Sequence, residues 1–329
     1  MAIELERQRL IELWLKGQFP EKSFGIEPAS SDASFRRYFR AVFPDDSLIV
    51  MDAPPSHEDC RPFVRIAQIF NEAGVNPPKV LSQDLDQGFL LLSDLGKTTY
   101  LDVLNEDNAD VLYRDAVDAL IKIQLASRPD ILPEYDEALL RRELDLFPEW
   151  YLVRHLGRQI SSDDANLIES VFRKILKNNL SQPRVFVHRD YHSRNLMVSE
   201  PNPGILDFQD AVYGPITYDL ASLFRDAYIA WEEEKVLDWV IRYWEKARSA
   251  GLPVHDDFAD FYRDFEWMGA QRQIKVVGIF ARLYHRDGKE RYLDDIPLVL
   301  SYLKKTCARY RELSPLLKLV DKIEVRTTF

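Results

Sequence analysis

Only two cysteines, Cys60 and Cys307, occur in 329 residues, far apart and with no CxxC spacing. That pattern excludes a CxxC redox or zinc pair and suggests reduced thiols in a cytoplasm. A basic excess is also missing. Lys and Arg number 43 against 54 Asp and Glu, a net charge of −11, which argues against a nucleic-acid binder that relies on phosphate contacts. Long apolar runs are absent: Phe89–Leu92 is far too short to span a bilayer. The first residues carry Glu4, Glu6 and Arg7 in place of an apolar signal core. The expectation is a soluble, cytoplasmic protein with no nucleic-acid, membrane or obligate protein partner. What is present is ordinary for a globular chain, 46% apolar and 29% charged, with length enough for two lobes.

The chain is organised around residues 185–219, VFVHRDYHSRNLMVSEPNPGILDFQDAVYGPITYD. Two short apolar runs, Val185-Phe186-Val187 and Gly204-Ile205-Leu206, each deliver an aspartate, Asp190 and Asp207. Asn195 follows Asp190 by five residues. Phosphoryl transfer needs one group to orient the attacking hydroxyl and oxygen ligands to hold magnesium on the phosphates. His188-Arg189-Asp190 with Asn195 has the H-R-D-x-x-x-x-N spacing of a kinase catalytic loop, and Asp207-Phe208-Gln209 stands where D-F-G would. Asp190 is therefore expected to orient the hydroxyl, and Asn195 and Asp207 to hold Mg²⁺. A zinc reading of His188 and His192 fails on two counts: the Glu of H-E-x-x-H is missing, and a strand-like run precedes the pair. Asp207 and Asp219 are twelve residues apart with no A-P-E after them, which leaves no room for a peptide-binding activation segment. The substrate is expected to be a small molecule.

Upstream, apolar positions Ile3, Leu10, Leu13 and Trp14 predict an amphipathic helix. A hairpin follows, its tip rich in serine and alanine around Ser31, Asp32, Ala33 and Ser34; such a tip can turn backbone N–H groups onto phosphates. Strands are predicted over Ser47–Met51, Lys79–Leu81 and Phe89–Leu92, with a helix between Glu58 and Ala73. The polar break Ser93-Asp94-Leu95 marks a hinge, and the rest is helical outside the catalytic segment. Gly96-Lys97-Thr98 imitates the end of a P-loop, but Leu91 occupies the place of its first glycine. The predicted class is α+β, a two-lobed protein-kinase-like fold with a small β-rich N-lobe (1–95) and a larger helical C-lobe (96–329).

With these motifs the chain resembles the aminoglycoside phosphotransferase-like small-molecule kinases, chiefly through HRDYHSRN, LDFQDA and YGPITYDLASL. Within that family it is most similar to the anomeric sugar kinases of bacterial cell-wall recycling. The likeness there runs through residues 32–39, 50–55 and 144–151 and from Gln271 onward. The resemblance implies ATP and Mg²⁺ as cofactors and an amino sugar as partner. It also implies phosphorylation of the C1 hydroxyl of N-acetylmuramate and N-acetylglucosamine. Nucleotide contacts are expected at Ser31, Asp32, Ala33, Ser34, Arg36, Ser93, Asp94 and Leu95, with His188 and Asp219 bracing the catalytic loop. One departure stands out: the third strand, SLIVMD, has no lysine for the α- and β-phosphates. Arg36, Arg37 or Arg40 is expected to substitute, because guanidinium binds phosphate as a bidentate fork.

The acceptor is read from local charge. Residues 271–292 hold six basic side chains against two acidic ones inside an acidic protein. Arg272, Lys275, Arg282 and Arg286 recur at helical spacing. Arg272 or Arg282 is expected to reach an anionic acceptor, as an N-acetylmuramate carboxylate would require; Arg225 is a further candidate. Trp150, Tyr213 and Trp231 are candidates for stacking on the sugar ring. The alternatives are an aminoglycoside- or choline-type kinase of the same fold, and a silent nucleotide-binding regulator.

Overall fold

The computed structural model describes residues 2–31 and 36–327, so Asp32, Ala33 and Ser34 lie outside the described residues, as does the side chain of Ser31. The chain divides into two compact units. One comprises Met1–Thr99 with Leu196–Asp210, the other Tyr100–Asn195 with Ala211–Phe329.

The first is a sheet unit. Strands β1 (Gly25–Ser31), β2 (Arg37–Val42), β3 (Ser47–Asp52), β4 (Val80–Asp84) and β5 (Phe89–Ser93) form an antiparallel sheet in the order β1-β2-β3-β5-β4. β3 and β5 lie inside it, and their apolar residues Val50, Met51 and Phe89–Leu92 are buried. β4 sits at an edge with the alternating exposure of a one-sided strand. Helix Ala2–Gln18 covers one face: Ile11 and Leu15 pack on Val50, Phe89 and Leu91. Helix Arg61–Glu72 buries Phe63, Ile66, Ala67 and Phe70, the one-sided spacing of an amphipathic helix. Asp52, at the end of β3, is fully buried between two arginines. Arg37 is its cross-strand partner in register and donates through Nε at 3.0 Å; Arg7 donates from the N-terminal helix at 3.1 Å.

The second unit is helical, built around the 30-residue helix Phe258–Asp287. Asp257 caps its start by accepting from Ala259 N at 2.6 Å. Gly288 ends it in the left-handed conformation, with bonds back to Tyr284 and Leu283. The π-helix Phe147–His155 runs against it. A Cβ at Gly278 would stand 2.5 Å from the Leu146 carbonyl carbon, so only glycine permits that approach. Strands Arg184–Val187 and Val212–Pro215 pair antiparallel and frame the catalytic segment. Among the described residues no helix is long and apolar enough to cross a membrane.

Helices Glu233–Ser249, Phe258–Asp287 and Ile296–Arg309 are tied by an ionic cluster. Arg225 donates twice to Glu233, at 2.6 and 3.1 Å, and Arg309 reaches both Glu233 (3.0 Å) and Glu266. Arg225 therefore does not await a substrate carboxylate, as the sequence had led us to expect; it is buried and already neutralised. Burial pushes the Glu233 carboxyl up, but the Arg225 hydrogen bonds and the Arg225 and Arg309 charges outweigh it and hold it at about 2. A carboxyl depressed in the folded state stabilises at pH above its ordinary value of 4.5, and that stability is lost as pH falls from there towards 2. Glu233→Gln should accordingly lower Tm at pH 7, by the equivalent of about 1–2 kcal/mol after allowing for solvent screening. The difference from wild type should shrink at pH 3.5. An equal Tm gap at both pH values would show that the cluster's charge adds nothing.

Candidate active site

In the helical unit the chain leaves strand Arg184–Val187 and turns sharply. Arg189 takes a positive φ of 78°, uncommon for a bulky residue and held only where surroundings over-determine it. Here they do. Asp219, in the first turn of helix Tyr218–Phe224, accepts the backbone N–H of His188 at 2.7 Å and of Arg189 at 3.0 Å. The Arg189 guanidinium reaches Glu143 at 2.6 Å. His188 is buried, and its Nδ1 accepts from Asp190 N at 3.3 Å. His192 N donates to the Asp190 carbonyl at 3.1 Å, and Asn195 Nδ2 donates to the same oxygen at 2.9 Å. Asp226 accepts from Ser193 N (2.9 Å) and Tyr228 N (3.0 Å). The loop's backbone is thus pinned at nearly every residue, yet no described residue donates to the Asp190 carboxylate.

That carboxylate sits among cations. Lys275, buried, bonds Glu143 at 3.0 Å and the Tyr218 hydroxyl at 2.9 Å. Glu143 also receives Gln271 at 3.1 Å and the Tyr135 hydroxyl. Burial alone would push the Asp190 carboxyl up; the charges of Lys275, His192, Arg189 and Arg272 outweigh it and hold it at about 2. Asp190 is therefore ionised at neutral pH. The Asn195 amide spends its N–H₂ on the loop, so its oxygen is what it has to offer a hard cation such as Mg²⁺.

In the sheet unit Asp207 also takes a left-handed φ, 58°, and accepts from Gln209 Nε2 at 2.8 Å. Its neighbour Phe208 is fully buried against Phe63 (4.8 Å) and Phe70 (5.7 Å), which anchors the segment. A carboxylate oxygen is likewise a Mg²⁺ donor. Of the three arginines expected to replace the missing lysine, two are committed elsewhere. Arg37 balances Asp52, and Arg40 pairs with Asp94 and donates to the Gly96 carbonyl at 2.9 Å. Arg36 is buried with its Nη2 3.6 Å from Asp207 Oδ1. Ser93 and Asp94, expected at the nucleotide, turn their side chains inward. Ser93 Oγ accepts from Lys79 N (2.8 Å), and Asp94 holds Arg40 and the Ser47 hydroxyl (2.7 Å). The side chain of Leu95 packs beside Gly204.

The acceptor candidates separate. Arg272 is 5% exposed and acts on Asp190. Arg282 is half-buried further along the same helix, with Arg286 exposed beyond it on Asp287. Trp150 carries Arg154 over its ring at 4.4 Å. Tyr213 lies in strand Val212–Pro215 under Arg184 at 5.2 Å. Trp231 donates to the Tyr113 hydroxyl at 2.8 Å within a cluster that includes Trp239. Sequence reasoning passed over Glu143, Asp226, Tyr228 and Arg194. Nothing in their immediate neighbours signals a role, because their partners lie far off in the chain or on the backbone.

Residues 25–258 match the phosphotransferase enzyme family. The chain is 56% identical over 327 residues to a Pseudomonas aeruginosa protein named N-acetylmuramate/N-acetylglucosamine kinase, covering 96% of this chain and 97% of the relative. It is 48% identical to a protein of the same name from Neisseria meningitidis, covering 99% of both. A choline/ethanolamine kinase family protein from Mesorhizobium loti, at 15% identity and a TM-score of 0.64, aligns over 97% of this chain and 98% of its own and shares the fold.

Proposed function

The chain belongs to the phosphotransferase enzyme family, and we propose that it transfers the γ-phosphoryl group of ATP to the C1 hydroxyl of N-acetylmuramate and N-acetylglucosamine, giving sugar 1-phosphates for peptidoglycan recycling. The carrying observation is the pinned loop that leaves the Asp190 carboxylate ionised and unengaged by any described residue, available to a hydroxyl. Near-full-length identity to two kinases named for these sugars supports the acceptor.

In this reading the acceptor hydroxyl oxygen bonds to the γ-phosphorus as the bond to the ADP oxygen breaks, and the hydroxyl proton passes to Asp190. An anomeric hydroxyl is more acidic than an ordinary alcohol, so the base need not be strong. Asn195 and Asp207 are the residues that would offer Mg²⁺ an oxygen. When bound, the metal neutralises charge on the phosphates. Positioning and charge neutralisation then supply most of the rate. The test is ADP release from Mg-ATP over a panel of acceptors, with phosphorus NMR of the product. An α-1-phosphate from either sugar supports the reading; turnover only with aminoglycosides or choline, or none at all, removes it.

Arg36 is our choice for the missing lysine, since Arg37 and Arg40 are each committed to a buried carboxylate of the sheet unit. Arg36→Ala should raise KM for ATP about tenfold or more, the scale of one charge-assisted contact. Arg37→Ala, which half-uncovers the buried Asp52, should instead lower Tm and leave that KM within about threefold. Equal KM values for wild type and the Arg36 variant would leave Arg36 as no more than a partner of Asp207.

A further inference from the structure

Among the described residues of the helical unit, the buried cations Lys275 and Arg225 are each neutralised by a carboxylate, and the buried Arg272 is not. Arg189 and Lys275 share Glu143, and Arg225 is neutralised by Glu233. Each pairing answers the cost of removing a charge from water. Arg272, one turn before Lys275 on helix Phe258–Asp287, is equally withdrawn at 5% exposure. Among the described residues no hydrogen bond or ion pair engages its guanidinium. Its charge is nonetheless directed at the catalytic loop: it acts on Asp190, His192, Asp219 and Tyr228. Of the carboxylates its charge reaches, Asp190 makes no ion pair with it, and the others are occupied. Asp219 is held by two loop N–H groups and Asp226 by two more. Arg194 lies 3.5 Å over the Tyr228 ring, and that ring meets His192 edge-on at 5.4 Å.

We propose that Arg272 is the residue that binds an anionic group on the acceptor, and so separates an acid sugar such as N-acetylmuramate from its neutral counterpart. The inference rests on the kinase reading above and deepens it. A carboxylate on the acceptor supplies the partner the fold withholds, and its binding sets the sugar beside Asp190. N-acetylglucosamine has no such group, so it gains no binding contact from the arginine. The design also explains why Arg272 is not simply neutralised by a neighbouring Asp or Glu: a resident carboxylate would compete with the substrate.

The experiment compares kcat/KM for the two sugars in wild type, Arg272→Met and Arg272→Lys, with thermal unfolding of each. Arg272→Met should lower the ratio of kcat/KM for N-acetylmuramate to that for N-acetylglucosamine about 100-fold, mostly through KM for the acid sugar, over any loss common to both sugars that comes from its charge on Asp190. Arg272→Lys, which keeps the charge but loses the bidentate fork, should fall between. Equal losses on both sugars, or no loss on either, overturn the assignment, and Arg272→Lys decides alone if the Met variant does not fold. Wild-type protein inactive towards both sugars overturns the kinase reading itself, and this inference with it.

Discussion

Asp190→Asn should lower kcat by at least about 10³-fold with either sugar, within the range assigned to a positioned general base. The change is nearly isosteric, so the loop's bonds through the Asp190 backbone, from His192 N and Asn195 Nδ2, are kept. What disappears is the one carboxylate of the loop to which no described residue donates. The neighbouring carboxylates of the helical unit cannot take its place. Asp219 is spent on the N–H groups of His188 and Arg189, Asp226 on those of Ser193 and Tyr228, and Glu143 on Arg189, Lys275, Gln271 and Tyr135. Because the surrounding cations hold this carboxyl at about 2, the loss of its charge should also lower Tm at neutral pH. ADP affinity, measured by calorimetry, should stay within about threefold of wild type, since a base that acts on the acceptor is not a nucleotide ligand. A variant that retains near-wild-type kcat would remove Asp190 from the reaction and the proposed chemistry with it.

The candidate residues of this region could be singled out in advance because they are local. Asp190, Asn195 and Asp207 fall within eighteen residues, each beside a short apolar run, and the same stretch ends at Asp219. The sheet was legible for a similar reason. Ser47–Asp52 and Phe89–Ser93 are apolar runs bounded by turn residues, and burial on both sides is what such runs are for. Legibility stops where partners are distant. Glu143 gathers Arg189, Gln271 and Lys275 from segments up to 132 residues away, and no spacing rule connects them. The three hairpin arginines look alike in sequence. Only strand register sets Arg37 opposite Asp52, and only the fold brings Arg40 to Asp94. The basic stripe shows the limit of periodicity. Its members share a helical face, but that helix is buried without a break from Asp264 to Gly278 and emerges towards its end. Arg272 and Lys275 are therefore inside, Arg282 half-buried and Arg286 in solvent. Spacing gives direction around a helix; it says nothing about depth along it.

Asp219→Ala should prove nearly as damaging as the loss of Asp190, by a different route. The residue could have been read as a helix N-cap, but Thr217 occupies that position and the Asp219 carboxylate points at the loop. Both oxygens are used, one on each of two consecutive backbone N–H groups, and the second belongs to Arg189, which sits at a φ of 78°. Alanine leaves two donors stranded in a buried place, at about 1–3 kcal/mol each. It also removes the contact that helps hold Arg189 in a conformation costing on the order of 1–3 kcal/mol. The strained turn is what aims the next residue, Asp190, so relaxing it misplaces the base. Expected results are a Tm lower by several degrees and a kcat reduced about 10²-fold or more, the scale of a small misplacement of a catalytic group. Asp219→Asn, which keeps one acceptor oxygen, should recover much of the Tm and part of the rate. Those two readouts discriminate. If alanine lowers Tm but leaves kcat per folded molecule unchanged, Asp219 merely stabilises the helix start. If both fall together and asparagine restores both in part, the carboxylate is the brace that converts a strained turn into an aimed base.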